Sequence, residues 1–275
     1  MIHPIQPYLA FGSRHYHKRI INSMGIAHLF EYCYNSEQEA DYLGVPDGSF
    51  DIFWDLTEPR PAAFGAGIFT HSNKCIRKKG HRYFGVRFMP GIVPDFYIGI
   101  TDAMMNTEID ISSLDSTLSY AAAESLSSLH SFSERADFFL VLYTDLISHG
   151  PHENVSICKR NIYHECISYI LNSRGLCQIS ELCEQSGYSE RYINTIFKNI
   201  IGISAKKFCM FSRFQNAIDM LNHNNTLSFT EIALKSGYYD QAQFIHDFRN
   251  CAGMTPSAYR KKIISSNYVD KFVLE

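Results

Sequence analysis

Between residues 179 and 260 apolar positions recur at the spacing of short amphipathic helices, and the pattern occurs twice. The first copy, ISELCEQSGYSERYINTIFKNIIGISAKKF, runs from Ile179 to Phe208. The second, FTEIALKSGYYDQAQFIHDFRNCAGMTPSAYR, runs from Phe229 to Arg260. Each predicts a short helix, a Ser-Gly-Tyr turn, a second helix, and a closing turn of Gly and small residues. In the second helix of copy one, about 190–199, Ile193, Ile196 and Phe197 form the apolar face. Arg191, Asn194, Thr195 and Lys198 form the polar one. In copy two, about 241–250, Phe244, Ile245 and Phe248 point in; Gln241, Gln243, His246 and Arg249 point out. A helix, a Gly-bearing turn and a second helix with a polar outer face make a helix-turn-helix. Two copies with the same internal spacing are far more specific than one. Ser189 and Tyr239-Asp240 are placed to cap the second helices, and Gly187 and Gly237 to make the turns. A helix over 204–223 joins the copies. Another, from about 157, precedes them, with Ile162, Cys166, Ile167, Tyr169 and Ile170 inward.

The first 105 residues change period. SFDIFWDL (49–56) sets Phe50, Ile52, Trp54 and Leu56 against Asp51, Phe53 and Asp55. HRYFGVRFMP (81–90) sets Phe84, Val86 and Phe88 against Tyr83, Gly85 and Arg87. Turn signals interrupt these runs at Pro46-Asp47-Gly48, Pro59-Arg60-Pro61, Lys79-Gly80 and Pro90-Gly91. Period-two alternation with frequent turns predicts a small sheet sandwich or barrel. Two helices follow, one after a cap at Asp115 and one from Ser133. The second has a stripe of Ala136, Phe139, Leu140, Tyr143, Leu146 and Ile147 that packs on its own domain or forms a dimer seam. The expected organisation is an α+β chain: a β-rich domain with helices over 1–148, a linker over 149–157, and an all-α domain over 158–264. The last 15 or so residues carry no recognisable signal.

Charge follows the same division. The whole chain has a formal net charge of −3. Residues 158–264 carry 13 basic and 8 acidic residues, whereas residues 1–157 carry 11 basic and 18 acidic. A basic C-terminal region beside an acidic N-terminal one suits a nucleic-acid-binding domain attached to something else. The eight cysteines form no Cys-x-x-Cys pair, and those of the second half mostly occupy apolar helical positions, where a free thiol acts as a small hydrophobe. No secretory signal and no apolar run of about 18 residues is seen. A reduced, cytoplasmic protein without a membrane partner is expected.

The outward sets match the chemistry of duplex reading. Arg pairs with a guanine edge, Asn and Gln with adenine, and Thr meets a thymine methyl. Lys206, Lys207, Arg213, Lys261 and Lys262 are candidate phosphate contacts, which position without specifying. SGYYDQAQFIHDFRNCAGMTPSAYRKK resembles the C-terminal signature of the AraC/XylS family of bacterial transcription regulators. The features that carry the likeness are Gly237-Tyr238, Phe244 with Phe248, and Gly253 through Arg260; copy one adds Gly187-Tyr188, Phe197-Lys198 and Gly202-Ile203-Ser204. The likeness covers about residues 160–262. It implies two helix-turn-helix subdomains entering successive major-groove segments of double-stranded DNA. The positions implied to meet bases are Arg191, Asn194 and Thr195, then Gln241, Gln243 and His246. Glu190 departs from the family's usual Pro or Arg near that site and disfavours phosphate there.

VPDGSFDIFWDL with GVRFMPG resembles the cupin-like sensor domain of some members of that family, which implies a barrel. Trp54, Tyr83 and Arg87 are candidates to line a ligand pocket, Arg being suited to carboxylate or phosphate. The alternative is that Trp54 is core and Arg87 pairs with Asp51 or Asp55. The His15-Tyr16-His17 pair and the isolated His28, His71 and His81 lack the spacing of a metal cupin, and no phosphate loop or nucleophile elbow is present. No metal, cofactor or catalytic residue is therefore assigned. The expected function is a sequence-specific DNA-binding regulator whose N-terminal domain senses a small molecule or dimerises. Competing readings are an N-terminal domain that binds a partner protein and, further off, a cupin enzyme fused to a DNA-binding module. A homodimer, and RNA polymerase if the protein activates, complete the expected partners.

Overall fold

The computed structural model describes residues 4–35, 43–58, 63–75, 77–111, 122–149, 156–224 and 226–275. The Pro59-Arg60-Pro61 turn, the Asp115 cap and most of the expected linker lie outside them. A short helix α1 (Pro7–Phe11) leads into β1 (Ser13–Ser23), β2 (Ile26–Tyr34), β3 (Leu43–Gly44), β4 (Asp51–Asp55), β5 (Ala63–Ala66), β6 (Asn73–Lys74) and β7 (Arg82–Phe88). Helix α2 (Thr101–Met104), β8 (Glu108–Asp110), α3 (Ala122–Ser128) and α4 (Phe132–His149) complete the N-terminal part. Among the described residues seven strands, the last being β9 (Phe272–Leu274), form one sheet in the order β8-β5-β4-β7-β2-β1-β9, and β3 pairs with β6 in a separate ladder.

The seventh strand comes from the other end of the chain. Strand β9 (Phe272–Leu274) lies parallel to β1, Tyr16 opposite Phe272 and Lys18 opposite Leu274. It covers an edge that would otherwise present unpaired backbone groups.

Both predicted strands form, and register fixes their faces. Trp54 stands opposite Phe84 and Asp51 opposite Arg87. Leu29, Ile52, Trp54, Phe84, Val86 and Phe88 belong to a core with α3 and α4. The Trp54 ring centroid is 5.7 Å from Phe139, and Phe88 is 5.7 Å from Tyr143. The apolar stripe of α4 thus packs on its own sheet. Buried Arg135 adds a two-point pair with Glu31 of β2, at 2.6 and 3.0 Å. The opposite sheet face is aromatic: Tyr16, Phe30, Tyr32, Phe53 and Tyr83 pack with Leu9, Phe69 and Cys75. With both faces covered, every residue of β4 is buried.

The C-terminal part is helical: α5 (Ile157–Asn172), α6 (Ile179–Ser186), α7 (Glu190–Ile201), α8 (Ala205–His223), α9 (Phe229–Lys235), α10 (Gln241–Ala252) and α11 (Pro256–Ser265). In α5 the aromatic that turns inward is Tyr163, not Tyr169. Tyr163 shares a face with Cys166, Ile167 and Ile170, and its hydroxyl donates to the Gly91 carbonyl at 2.6 Å. Tyr169 is half-buried and donates to Glu181 at 3.2 Å.

The two halves share two hydrophobic cores. The core containing Trp54 and Phe139 continues through Tyr163 and Ile167 into Ile193 and Phe197. A second core joins Tyr8, Phe11 and Val45 of the N-terminal part to Phe214, Phe248 and Tyr259. The buried amide of Gln215 seals that contact, accepting from Ile5 N at 2.8 Å and donating to the Pro46 carbonyl at 2.9 Å. Lys271, just before β9, donates to the carbonyls of Ala10 and Phe11 at 2.9 and 3.0 Å.

Candidate nucleic-acid interface

The two helix-turn-helix units are built by the same local devices. Glu181 accepts from Gln178 N at 3.3 Å at the start of α6, and Glu231 accepts from Ser228 N at 2.8 Å at the start of α9. These side chains satisfy helix N–H groups that have no intrahelical partner. Gly187 and Gly237 follow α6 and α9, both at φ 74°. A left-handed residue costs about 1–2 kcal/mol with any L side chain, which is why glycine stands there. Ser189 then caps α7 through Tyr192 N and Asp240 caps α10 through Gln243 N. Tyr239 takes no part in capping; its own N–H donates to Gln243 at 2.9 Å. Both second helices end at a left-handed glycine, Gly202 and Gly253.

On α7, Ile193, Ile196 and Phe197 are buried while Arg191, Thr195 and Lys198 are exposed. Asn194 is only half-exposed, and its Oδ1 accepts from Ala205 N at 3.2 Å, helping to start α8. On α10, Gln243, His246 and Arg249 are exposed and Gln241 half-buried. Gln241 accepts from Thr230 at 2.6 Å and Gln243 from Tyr239 N, so each has its carbonyl oxygen engaged. His246 Nε2 lies 3.1 Å from Asn250 Nδ2.

The expected phosphate contacts separate into two groups. Lys206 and Lys261 are exposed and Lys207 half-exposed. Arg213 is turned instead toward the second turn, donating to the Gly237 carbonyl at 3.4 Å and lying over the Tyr238 ring. Lys262 lies over Tyr8 and Phe11 of α1. These two cations are partly used in holding the fold, a use their surface-like positions in sequence do not reveal. Tyr239, read from the sequence as part of a cap, is instead a 90% exposed aromatic directly before Asp240 and α10. Its signal was available: a bulky ring in a turn has no core position to fill.

The N-terminal pocket predicted from Trp54, Tyr83 and Arg87 does not assemble. Register puts Trp54 on the helix-covered face and Tyr83 and Arg87 on the other. Arg87 is spent in a buried cluster, with Nε 2.8 Å from Asp51 Oδ1 and Nη1 3.6 Å from Asp47 Oδ2. Burial pushes the Asp47 carboxyl up to about 6, against the pull of Arg87. Tyr83 lines a cavity of about 500 Å³, with Phe53, Phe64, Phe69, Arg77 and Glu108 among its walls. Arg77 lies over the Phe53 ring at 4.2 Å and pairs with Glu108 at 2.7 and 2.8 Å. His81, isolated in sequence, meets Asp55 and Glu58 at the rim. Lys78 pairs with Glu58 there, bringing a positive charge to the place a cation would take. A second cleft, of about 600 Å³, opens where β1 and β9 meet α5 and α8, with Lys18 and Arg174 in its lining.

Two segments beside the first cavity reach the second helices of both units. Phe69 and Asn73 line the cavity, and between them Ser72 N donates to the Asn250 carbonyl near the end of α10. Thr107 and Glu108 also line it, and α2, just before them, packs on α7. Asn106 ties the segments together, its Oδ1 accepting from Thr70 N at 2.7 Å and its carbonyl from Asn73 Nδ2.

Residues 182–262 match the family model for a helix-turn-helix domain. The raffinose operon transcriptional regulatory protein RafR of Pediococcus pentosaceus is 30% identical over 125 residues, which are 44% of this chain and 45% of that protein. An uncharacterized HTH-type transcriptional regulator of Staphylococcus aureus is 30% identical over 111 residues, 40% of this chain and 15% of the relative. The matches thus span less than half the length of these curated relatives. Among solved structures, the DNA-binding domain of AdpA in complex with a target DNA matches at 20% identity and TM-score 0.35, over 37% of this chain and 92% of that one. Apo ToxT from Vibrio cholerae matches at 12% identity and TM-score 0.46, over 88% of this chain and 99% of that one.

Proposed function

We propose that this chain, whose C-terminal region is an AraC-type helix-turn-helix domain, is a DNA-binding transcription regulator controlled through its N-terminal sheet. The observation that carries the reading is the pair of helices α7 and α10, each capped by a side chain that accepts from the third helical N–H and each with an apolar face buried and a polar face exposed. Such helices present their N-terminal outer residues to base edges in the major groove. Arg191, Thr195 and Lys198, with Gln243, His246 and Arg249, are the reading set. Gln241 and Asn194 join them, and like Gln243 they offer their amide N–H groups while the carbonyl oxygen stays bonded internally. Lys206, Lys207 and Lys261 hold phosphates.

The cavity beside Tyr83 is the effector site in this reading. Aromatic walls with Arg77, Glu108 and Asn73 among the polar groups suit a polyhydroxylated ligand such as a sugar. A ligand shifts the regulator only by binding its two conformations unequally. The segments around Ser72 and Asn106 convey that difference to the second helices, because they line the cavity and touch the helices at once.

The test is titration of duplex from the gene's own upstream region at several salt concentrations. Phosphate neutralisation makes affinity fall steeply with salt; salt-independent binding, or none, ends the reading. A panel of mono- and oligosaccharides screened by thermal shift tests the effector. A response lost in Phe64→Ala supports the cavity. One lost in Lys18→Ala instead moves the site to the cleft beside β9.

A further inference from the structure

Cys177 and Cys209 lie with their sulfurs 3.8 Å apart. Cys177 is half-buried in the turn between α5 and α6; Cys209 is buried on α8. Backbone packing brings them together. A Cβ on Gly175 would stand 2.3 Å from the Cys209 carbonyl oxygen, so only glycine lets the turn come this close. Arg174 fastens the same turn, donating to Asn216 of α8 at 3.2 Å. A disulfide requires about 2.05 Å between sulfurs, which here is reached by a short closing movement of a turn already seated on the helix. Neither thiol belongs to the reading face or to the effector cavity.

The geometry points to Cys177 and Cys209 as a dithiol site that hydrogen peroxide converts to a disulfide, changing the set of α6 and α7 against α8. Either sulfur can donate across this contact; with Cys209 as donor, the Cys177 thiol is held below its ordinary range, although burial and Glu181 oppose the shift. The thiolate is the nucleophile in such oxidation. A sulfur lone pair of Cys177 attacks one peroxide oxygen, the O–O bond breaks, and the departing hydroxide takes up a proton to leave as water. Cys177 is then a sulfenic acid. Cys209 gives up its proton, attacks the Cys177 sulfur and displaces hydroxide, which leaves as the second water. Two thiols have lost two electrons in all, and one peroxide has gained them.

The consequence follows from position. Cys177 directly precedes Gln178, which opens α6, and α6 packs on α7. Drawing that turn toward α8 tilts the first unit while leaving α9 and α10 in place.

The experiment treats the full chain with hydrogen peroxide, alkylates it after denaturation, and maps the peptides. A Cys177–Cys209 linked peptide is expected. In Cys209→Ser, Cys177 should stop at sulfenic acid, trapped by a cyclic 1,3-dione. Both thiols alkylated, or Cys177 joined to Cys166 or Cys183, overturns the site. Hydrogen exchange reads the consequence without DNA: amides of 178–201 should change on oxidation, return with dithiothreitol, and stay unchanged in Cys177→Ser. A linked peptide with unaltered exchange overturns the switch. The DNA readout rests on the proposed function: affinity for the upstream duplex should fall about fivefold or more. If the reduced protein binds no duplex, that reading fails while the peptide map and the exchange data still decide this one.

Discussion

The backbone N–H of Ser72 donates to the carbonyl of Asn250 at 3.2 Å. One belongs to a segment beside the N-terminal cavity, the other to the last turn of α10. The last carbonyls of a helix have no intrahelical partner, so this bond makes the N-terminal part a component of the second helix-turn-helix.

Asn106 is the residue that joins this segment to the one following α2, through its bonds to Thr70 and Asn73. Asn106→Ala should cost about 1–3 kcal/mol in urea unfolding. It should also blunt the effector's influence on DNA affinity while leaving ligand binding itself within about twofold. Parallel loss of both would show a local folding role only.

Base readers and phosphate holders should separate by sequence dependence. Arg191→Ala and His246→Ala should each cost about 1–3 kcal/mol on the cognate duplex and relax preference at one position. Lys206→Ala should weaken cognate and random duplexes alike and lower the salt slope by about one. Competition titrations with both duplexes distinguish the two behaviours. An equal loss on cognate and random DNA would reassign Arg191 to phosphate.

Gly187 and Gly237 share φ 74° but differ in surroundings. A Cβ on Gly187 meets nothing within 4 Å, whereas one on Gly237 would lie 2.3 Å from the Leu176 side chain. Leu176 is 51% exposed and can yield. Alanine at either site should therefore cost about 1–2 kcal/mol from the left-handed backbone. Valine, stiffer at Cβ, should cost more at Gly237 and abolish specific binding. Denaturant midpoints with mobility shifts measure both, and a fully active Gly237→Val would refute the requirement.

Asp47 gives a pH signature. Its folded-state pKa, raised by burial to about 6, exceeds the ordinary aspartate value of 3.8. The folded protein therefore holds a proton that the unfolded chain has lost. This contribution to stability is full below about 4 and disappears as pH rises through about 6. The stability of wild type relative to Asp47→Asn should fall by up to about 3 kcal/mol over that window. A difference that stays flat or rises with pH would show that Arg87 outweighs burial.

Removal of residues 268–275 should uncover the β1 edge and take away the Lys271 bonds that hold the Ala10 and Phe11 carbonyls of α1. Faster hydrogen exchange in β1 and a lower unfolding midpoint are expected. Unchanged exchange would mean that β9 only rests on the sheet.

The helix-turn-helix units were legible in the sequence because everything that defines them is local. Caps at Ser189 and Asp240, left-handed glycines at 187 and 237, and apolar spacing at Ile193, Ile196 and Phe197 each act within a few residues. The strands over 51–55 and 82–88 were legible for the same reason, since alternation is a property of the segment. Which faces meet is a property of pairing. Trp54 opposite Phe84 and Asp51 opposite Arg87 is a long-range register, and it alone separated Trp54 from Tyr83 and Arg87. Asn194, Arg213 and Lys262 look like free surface in sequence because their partners, Ala205 N, the Gly237 carbonyl and the rings of α1, lie across the fold. The tail had no pattern to read: a three-residue strand has too few side chains to show a period, and the edge of β1 supplies its hydrogen bonds. Local chemistry thus determined the elements and the two helix-turn-helix units. Tertiary packing decided which polar groups remained free, and it bound the two halves into one body through α1, Gln215 and β9.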